Sequence, residues 1–342
     1  MKFGIFDHMD RGAVPLGEQY EMRLKLIEAY ERSGFHAYHL AEHHATPLGM
    51  APSPSVFLAA VAQRTRRLRF GPLVYTLPLY HPLRLAEEIC MLDHLSGGRL
   101  ELGIGRGVSP HEFAYYGADP NVSRDAYFEA FAILIKALTS RTLTFAGEFH
   151  TFRDTPIELE PVQRPHPPLW YGASDPASVP WAAQNRVNVV CNGPVEMVRG
   201  VVERYRAEWL AAGNKAAELP LIAMTRHVVI ADSDEHAMTI ARRAYKRWYA
   251  SFILLWDRHG TKPFRAAYPD NLDDAARMGF AVAGAPDKVR DVLAAQVGGA
   301  GVNYFLCRFA FGDLSLADTL RSVELFSTAV MPGLIAAREA AE

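Results

Sequence analysis

The sequence has little of what marks several protein classes. Its 342 residues hold three cysteines, Cys90, Cys191 and Cys307. They are odd in number, far apart and outside any C-x-x-C spacing, which argues against a disulfide framework and a structural zinc site. A reducing cytoplasm is the expected setting. Charge of one sign is also lacking: 36 basic residues face 38 acidic ones, a net charge of -2. No global field therefore recruits nucleic acid or an anionic membrane. The opening Met1–Asp7 run is too short for a secretory signal, and no stretch of eighteen apolar residues is expected to span a bilayer. The dinucleotide fingerprint G-x-G-x-x-G is missing, because Gly103 and Gly105 are followed by Val108 where the third glycine belongs. Low-complexity tracts, linkers and long internal repeats are absent too, so the chain reads as one domain over 1–342.

What the sequence does have is alternation. Short apolar, β-branched or aromatic runs at 2–7, 36–41, 68–75, 99–104, 168–172, 187–191, 221–230 and 302–307 are separated by segments of helical period. In 18–33, Tyr20, Leu24, Ile27 and Tyr30 follow helical spacing and Gly34 sits where a left-handed cap belongs. In 82–95, Pro82 opens the helix and Ser96-Gly97-Gly98 stops it. Eight strands separated by such helices predict an α/β (β/α)₈ barrel, with a doubly wound open sheet as the competing architecture. Two stretches interrupt the repeat. Residues 141–160 read as a hairpin after the fourth strand, and 257–282, rich in Gly, Pro and Asp, reads as a long loop in the C-terminal half.

Three clusters carry chemical content. His39-Leu40-Ala41-Glu42-His43-His44 falls at the predicted end of the second strand, where barrel active sites lie. It contains H-x-x-E-H, but zinc ligation by that pattern needs a helix, and this segment reads as a strand. His39 and His43 fit buried hydrogen bonding as well as function; His44, last in the run and nearest the mouth, fits a site role. The second cluster, Gly103-Ile104-Gly105-Arg106-Gly107, ends a strand with glycines that permit close approach and an arginine that offers paired donors to phosphate. Ordinary turn chemistry, with Arg106 in solvent, accounts for it equally well. The third, Tyr171-Gly172-Ala173-Ser174-Asp175-Pro176-Ala177-Ser178, leads into a helix whose free N–H groups suit an anion or an ordinary cap.

Taken in order, Ala41-Glu42-His43-His44, Gly71-Pro72-Leu73-Val74-Tyr75-Thr76, His81-Pro82-Leu83-Arg84, Leu92-Asp93-His94-Leu95-Ser96-Gly97-Gly98-Arg99, Gly103–Gly107 with Glu112-Phe113, and Gly284-Ala285-Pro286-Asp287 resemble the bacterial-luciferase-like flavin monooxygenases over nearly the whole chain. The resemblance implies a barrel that binds reduced FMN at its C-terminal face and reacts it with dioxygen, through a flavin hydroperoxide, to oxidise a small organic substrate. By the same resemblance, His44 is the catalytic base or positions the peroxide, and Arg106 anchors the flavin phosphate. Ser174 and Ser178 complete the phosphate site, and Leu73-Val74 is a non-proline cis peptide lying against the flavin ring. No metal is implied. Because the dinucleotide fingerprint is missing, reduced FMN is expected from a separate NAD(P)H:flavin reductase, and a homodimer is expected from the family's habit.

The chain departs from luciferase at Gly105, where luciferase carries a reactive cysteine, and at Ser174-Asp175, where luciferase carries a glutamate followed by a serine. The run Trp248–Trp256 and the 257–282 stretch are candidates for wall and lid of a site that must exclude water, although plain helix core is the stronger reading of the aromatics. Two rivals share the barrel: a deazaflavin-dependent dehydrogenase and a non-catalytic flavin-binding protein. A metal-dependent barrel hydrolase is a more distant one.

Overall fold

The computed structural model describes residues 1–173, 176–263 and 268–339. Twelve strands run through them: β1 Lys2–Asp7, β2 Ala37–Leu40, β3 Arg69–Pro72, β4 Tyr75–Thr76, β5 Leu102–Gly105, β6 Thr142–Ala146, β7 Thr151–Pro156, β8 Leu169–Gly172, β9 Asn188–Cys191, β10 Ile222–Ile230, β11 Ala281–Gly284 and β12 Tyr304–Arg308. Ten form one parallel sheet whose path is β3-β2-β1-β12-β10-β9-β8-β5-β4, with β11 alongside β10. β3 and β4 are two halves of one barrel strand, parted at Leu73-Val74. The ring closes because Phe70 bridges to Leu100, and the Glu101 N–H donates to the Phe70 carbonyl at 2.8 Å. Eight barrel strands result, each overlapping a range read from the sequence, with β4, β5 and β12 running one residue beyond theirs to Thr76, Gly105 and Arg308.

Parallel strands covered on both faces bury most of their residues, and β10 is buried along all nine of its positions. Alternation still decides which side each residue serves. On β12, Tyr304 and Leu306 turn inward to meet Trp170, Leu73 and Ala223, while Phe305 and Cys307 pack outward against the helices. The helix Leu16–Arg32 and the helix Pro82–Ser96 lie where their period placed them, and Gly97 caps the second with φ 65°.

The hairpin in 141–160 is β6 paired antiparallel with β7. The stretch 257–282 is not simply a loop. Among its described residues are the helix Leu272–Arg277 and the start of β11, which extends the pairing of β10 from His227 to Ile230. Six helical residues and a four-residue strand are too short for a period to emerge from the sequence. Bilayer-length apolarity also needs correction. Leu316–Glu339 is long and apolar enough to cross a membrane by length and composition, the interspersed Asp318, Arg321 and Glu324 having broken up the run. Here its Val323, Phe326, Val330 and Leu334 pack into the barrel's outer core, and Ser322 Oγ donates to the Ile230 carbonyl at 2.8 Å.

Below the mouth, the interior holds polar groups at a cost. His39 on β2 is fully buried, 3.3 Å from the Tyr304 hydroxyl and edge-on to Trp170. Burial, then the charges of His36 and Arg69, push its pKa from 6.5 to about 3. Its depressed folded-state pKa makes the stabilising contribution full above pH 6.5 and progressively lost as pH falls. By pH 5 the loss is about 2 kcal/mol. Urea unfolding at pH 7 and pH 5 should show the His39→Gln variant losing about 2 kcal/mol less than wild type across that interval. An equal loss in both would mean that His39 is not held neutral by the fold.

Candidate active site

The chain leaves β2 at Leu40 and runs along the barrel rim through Glu42, His43 and His44. His44 is nearly buried, and both of its ring nitrogens are engaged. Nε2 lies 2.9 Å from Glu42 Oε1, and Nδ1 lies 2.8 Å from the Tyr116 hydroxyl. A carboxylate accepts only, so Nε2 carries the proton and Nδ1 accepts from Tyr116. Glu42 Oε2 in turn accepts from the Tyr80 hydroxyl at 2.6 Å. Burial, then the Glu42 charge, raise the Tyr80 pKa far above the ordinary phenol value, so Tyr80 stays a donor. The result is a chain from Tyr80 through Glu42 and His44 to Tyr116, whose ring is more than half exposed at 57%.

A second carboxylate fixes this turn from below. Glu112, on the helix Pro110–Tyr115, accepts the His44 backbone N–H at 2.7 Å and faces His43 Nδ1 at 3.2 Å. Burial works to raise its pKa, but His43 and the hydrogen bond from the His44 backbone outweigh that and hold it below the usual range. His43 is thereby tied to Glu112 and His39 to Tyr304, so the two outer histidines of H-x-x-E-H serve different neighbours.

The Leu73-Val74 peptide bond is cis. The Leu73 N–H donates to the Leu40 carbonyl at 2.7 Å, two residues before Glu42, which sets the cis pair beside the histidine turn. On its other side stands Gly105. A Cβ there would lie 2.5 Å from Val74 Cγ2, so Val74 occupies the space a side chain at 105 would need. Glycine is required at this point by the approach of the neighbouring strand.

Arg106 follows directly, exposed at the rim, with no hydrogen bond or ion pair to any described residue. Register places Ile104 against Tyr171, so the residues after β5 adjoin those after β8. There Gly172 is exposed, and a Cβ on it would meet nothing within 4 Å, which marks open space beside the end of β8. Ser178 ends the short turn Pro176–Ser178 that leads into the helix Val179–Gln184 beyond β8. Ser174 lies outside the described residues. The structure therefore brings His44, Leu73, Val74 and Arg106 to the C-terminal ends of successive strands, with Ser178 beyond the next.

The far wall is built from the expected aromatic run together with Arg308, which was not read from sequence as part of the site. Trp248 of the helix Asp234–Arg258 is fully buried, and its ring lies 5.9 Å from His8 and 4.3 Å from His227. The expected aromatic wall is thus helix core and mouth lining at once. Arg308 ends β12 among these rings, buried, with its guanidinium 4.8 Å over Phe6. A charged residue closing an otherwise apolar strand was the signal available in the sequence, since burying a charge is costly without purpose. The end of the same long helix meets the Pro110–Tyr115 helix near Tyr116. There His259 stacks on His111 at 4.0 Å, and the Tyr115 hydroxyl is 2.9 Å from His259 Nε2. Among the described residues no group of three or more His, Cys, Asp or Glu side chains is arranged to hold a metal ion.

Comparison with known proteins agrees with this fold. The family of luciferase-like monooxygenases matches residues 1–304. An uncharacterised protein of Sinorhizobium fredii is 45% identical over 97% of this chain and 96% of its own. The oxygenase component of the flavin-dependent trigonelline monooxygenase of Acinetobacter baylyi is 33% identical over 70% of this chain and 68% of its own. Among solved structures, the monooxygenase RslO1 of Streptomyces bottropensis superposes with a TM-score of 0.87 at 28% identity, covering 97% of this chain and 99% of that one. The oxygenating constituent of the 3,6-diketocamphane monooxygenase of Pseudomonas putida, in complex with FMN, shares the fold with a TM-score of 0.81 at 21% identity, over 97% and 98% of the two chains. An eight-stranded parallel barrel, a histidine turn at the end of its second strand and a family match over most of the sequence lead to one assignment: the chain belongs to the luciferase-like monooxygenases and is a flavin-dependent oxidoreductase.

Proposed function

We propose that this protein is the oxygenase component of a two-component FMN-dependent monooxygenase, taking reduced FMN from a separate NAD(P)H:flavin reductase and using dioxygen to oxidise a small organic molecule. The observation that carries the reading is the row formed by the His44 turn, the cis Leu73-Val74 pair and the unpaired Arg106 along one side of the barrel mouth. The residues present fit FMN. Arg106, without a partner among the described residues, offers its guanidinium to a phosphate at the rim, Leu73 and Val74 offer an apolar shelf for the ring, and the open space beside Gly172 leaves room on the β8 side of Arg106. Ser178, and Ser174 outside the described residues, would add hydroxyl donors near the phosphate. Reduced flavin, when bound, supplies the electrons that activate dioxygen.

The protein's part is to orient and to manage protons. Glu42 holds the His44 ring in one tautomer and stabilises the imidazolium formed when Nδ1 takes a proton. Tyr116, bonded to Nδ1 and open to solvent, links that nitrogen to the surface. The aromatic wall around Trp248 keeps the opposite side of the mouth dry, which the chemistry of activated oxygen needs. A homodimer fits the exposed apolar residues Val56, Met91 and Leu95 on the adjacent helices Pro54–Arg64 and Pro82–Ser96. A cytoplasmic setting fits three buried cysteines, all of them free.

Anaerobic titration with reduced FMN and, separately, with reduced deazaflavin tests the cofactor. Tight binding of reduced FMN, followed on admission of oxygen by an absorbance transient distinct from oxidised flavin, is expected. Preference for the deazaflavin without reaction with oxygen would make the protein a dehydrogenase. The Arg106→Gln variant should bind reduced FMN more weakly by about 1.5–3 kcal/mol, the value of a hydrogen bond to a charged group; unchanged affinity would remove Arg106 from the phosphate site. The His44→Ala variant should keep flavin affinity within a few-fold while reoxidation of the bound flavin changes by roughly 10²-fold. The same rate as wild type would show that His44 handles no proton.

A further inference from the structure

Four buried polar atoms without a hydrogen-bond partner gather on three adjoining strands of the mouth: Asn192 Oδ1, both ring nitrogens of His227, and Arg308 Nη1. His227 and Arg308 are register partners across β10 and β12, and Asn192 follows Cys191, the partner of Met224 on β10. Side-chain alternation aims Arg308 inward, on the same side of β12 as Leu306 and Tyr304. Its Nε donates to Thr225 Oγ1 at 3.1 Å, and the guanidinium lies 4.8 Å over Phe6 and 5.6 Å over Tyr268.

No carboxylate among the described residues pairs with Arg308. The nearest acid in sequence register on β1, Asp7, is committed to Arg23, to Tyr38 and to the Met9 N–H. The two histidines beside it supply no negative charge, and burial together with Arg308 itself keeps His8 and His227 neutral. A buried guanidinium without a counter-ion is costly to keep, and a fold retains one where a ligand completes it. Its planar paired donors match a carboxylate in particular. The surrounding surface is aromatic, from Phe6, Tyr268 and Trp248. Around the eight-strand ring, β12 stands three strands from the Leu73-Val74 shelf, across the mouth from where the flavin ring is placed.

We propose that Arg308 is a substrate-binding residue that seats a carboxylate, so that the molecule oxidised is an organic acid with an aromatic or flat apolar body lying along Phe6, Tyr268 and Trp248. The proposal rests on the oxygenase reading for the word substrate, but the anion site is a property of the protein without flavin and is testable without turnover. Asn192 and His227, with free acceptor and donor capacity beside the anchor, orient whatever polar group the body carries.

The experiment uses the full chain free of flavin and follows its melting temperature with benzoate, 4-hydroxybenzoate and cyclohexanecarboxylate, each against its amide. The carboxylates should stabilise wild type and the amides should not. Arg308→Met, which keeps the volume and removes the charge, should itself melt no lower than wild type and lose the response to carboxylates. Arg308→Lys, the control should the methionine variant fail to fold, should retain a weaker response. Reduced FMN should bind both variants within a few-fold of wild type. Equal effects of acids and amides, or no response to any acid, would overturn the proposal. So would a loss of reduced-FMN affinity on removing the charge, which would assign Arg308 to the flavin ring. Failure of wild type to bind reduced FMN, with the carboxylate response intact, would instead count against the oxygenase reading alone.

Discussion

Val74 lies so close to the end of β5 that position 105 admits no side chain, and the layout of the mouth depends on that contact. The cis bond parts β3 from β4, yet β4 rejoins the ring by pairing with β5 at Tyr75 and Thr76. On one side the interruption is tied to Leu40 just before the histidine turn; on the other it presses on the residue before Arg106. Three segments distant in sequence are thereby set side by side. A luciferase-type cysteine at 105 would have to displace Val74, so in this chain apolar packing stands where that thiol would be.

Around this contact the mouth divides into two halves of different character. The half built on β2, β4 and β5 is a hydrogen-bonded relay in which Tyr80, Glu42, His44 and Tyr116 are all paired, and Glu112 pins the backbone beneath them. A network satisfied in this way holds its groups rigidly, which suits residues that move a proton at a fixed place. The half built on β9, β10 and β12 is the reverse. Asn192, His227 and Arg308 keep polar atoms unpaired in a dry aromatic setting, at a cost to stability that only a bound partner offsets. The contrast separates a half whose polar groups are paired with one another from a half whose polar atoms stand unpaired.

Much of this is legible in the sequence. Hydrophobic alternation located all eight barrel strands, because a parallel sheet covered on both faces leaves a strong apolar signature. Family order singled out His44, Arg106 and the Leu73-Val74 pair, which the fold does bring together. What stayed hidden follows from the same physics. The helix Leu272–Arg277 and β11 are shorter than the period that would reveal them. Tyr80 reaches Glu42, and Tyr116 reaches His44, from turns whose direction no local pattern encodes. Arg308 was passed over because the strand was read as ending at 307, one residue before the charge that interrupts its apolar run.

The central claim is that flavin sits against the Leu73-Val74 shelf where Gly105 lets the strands close. The direct measurement is the affinity of a Gly105→Ala variant for reduced FMN, taken with its circular dichroism spectrum and melting temperature. The added methyl has to push Val74 out of place, so the account predicts a folded barrel, with dichroism like that of wild type, that binds reduced FMN at least several-fold more weakly. A folded variant with wild-type affinity would contradict it and place the flavin elsewhere.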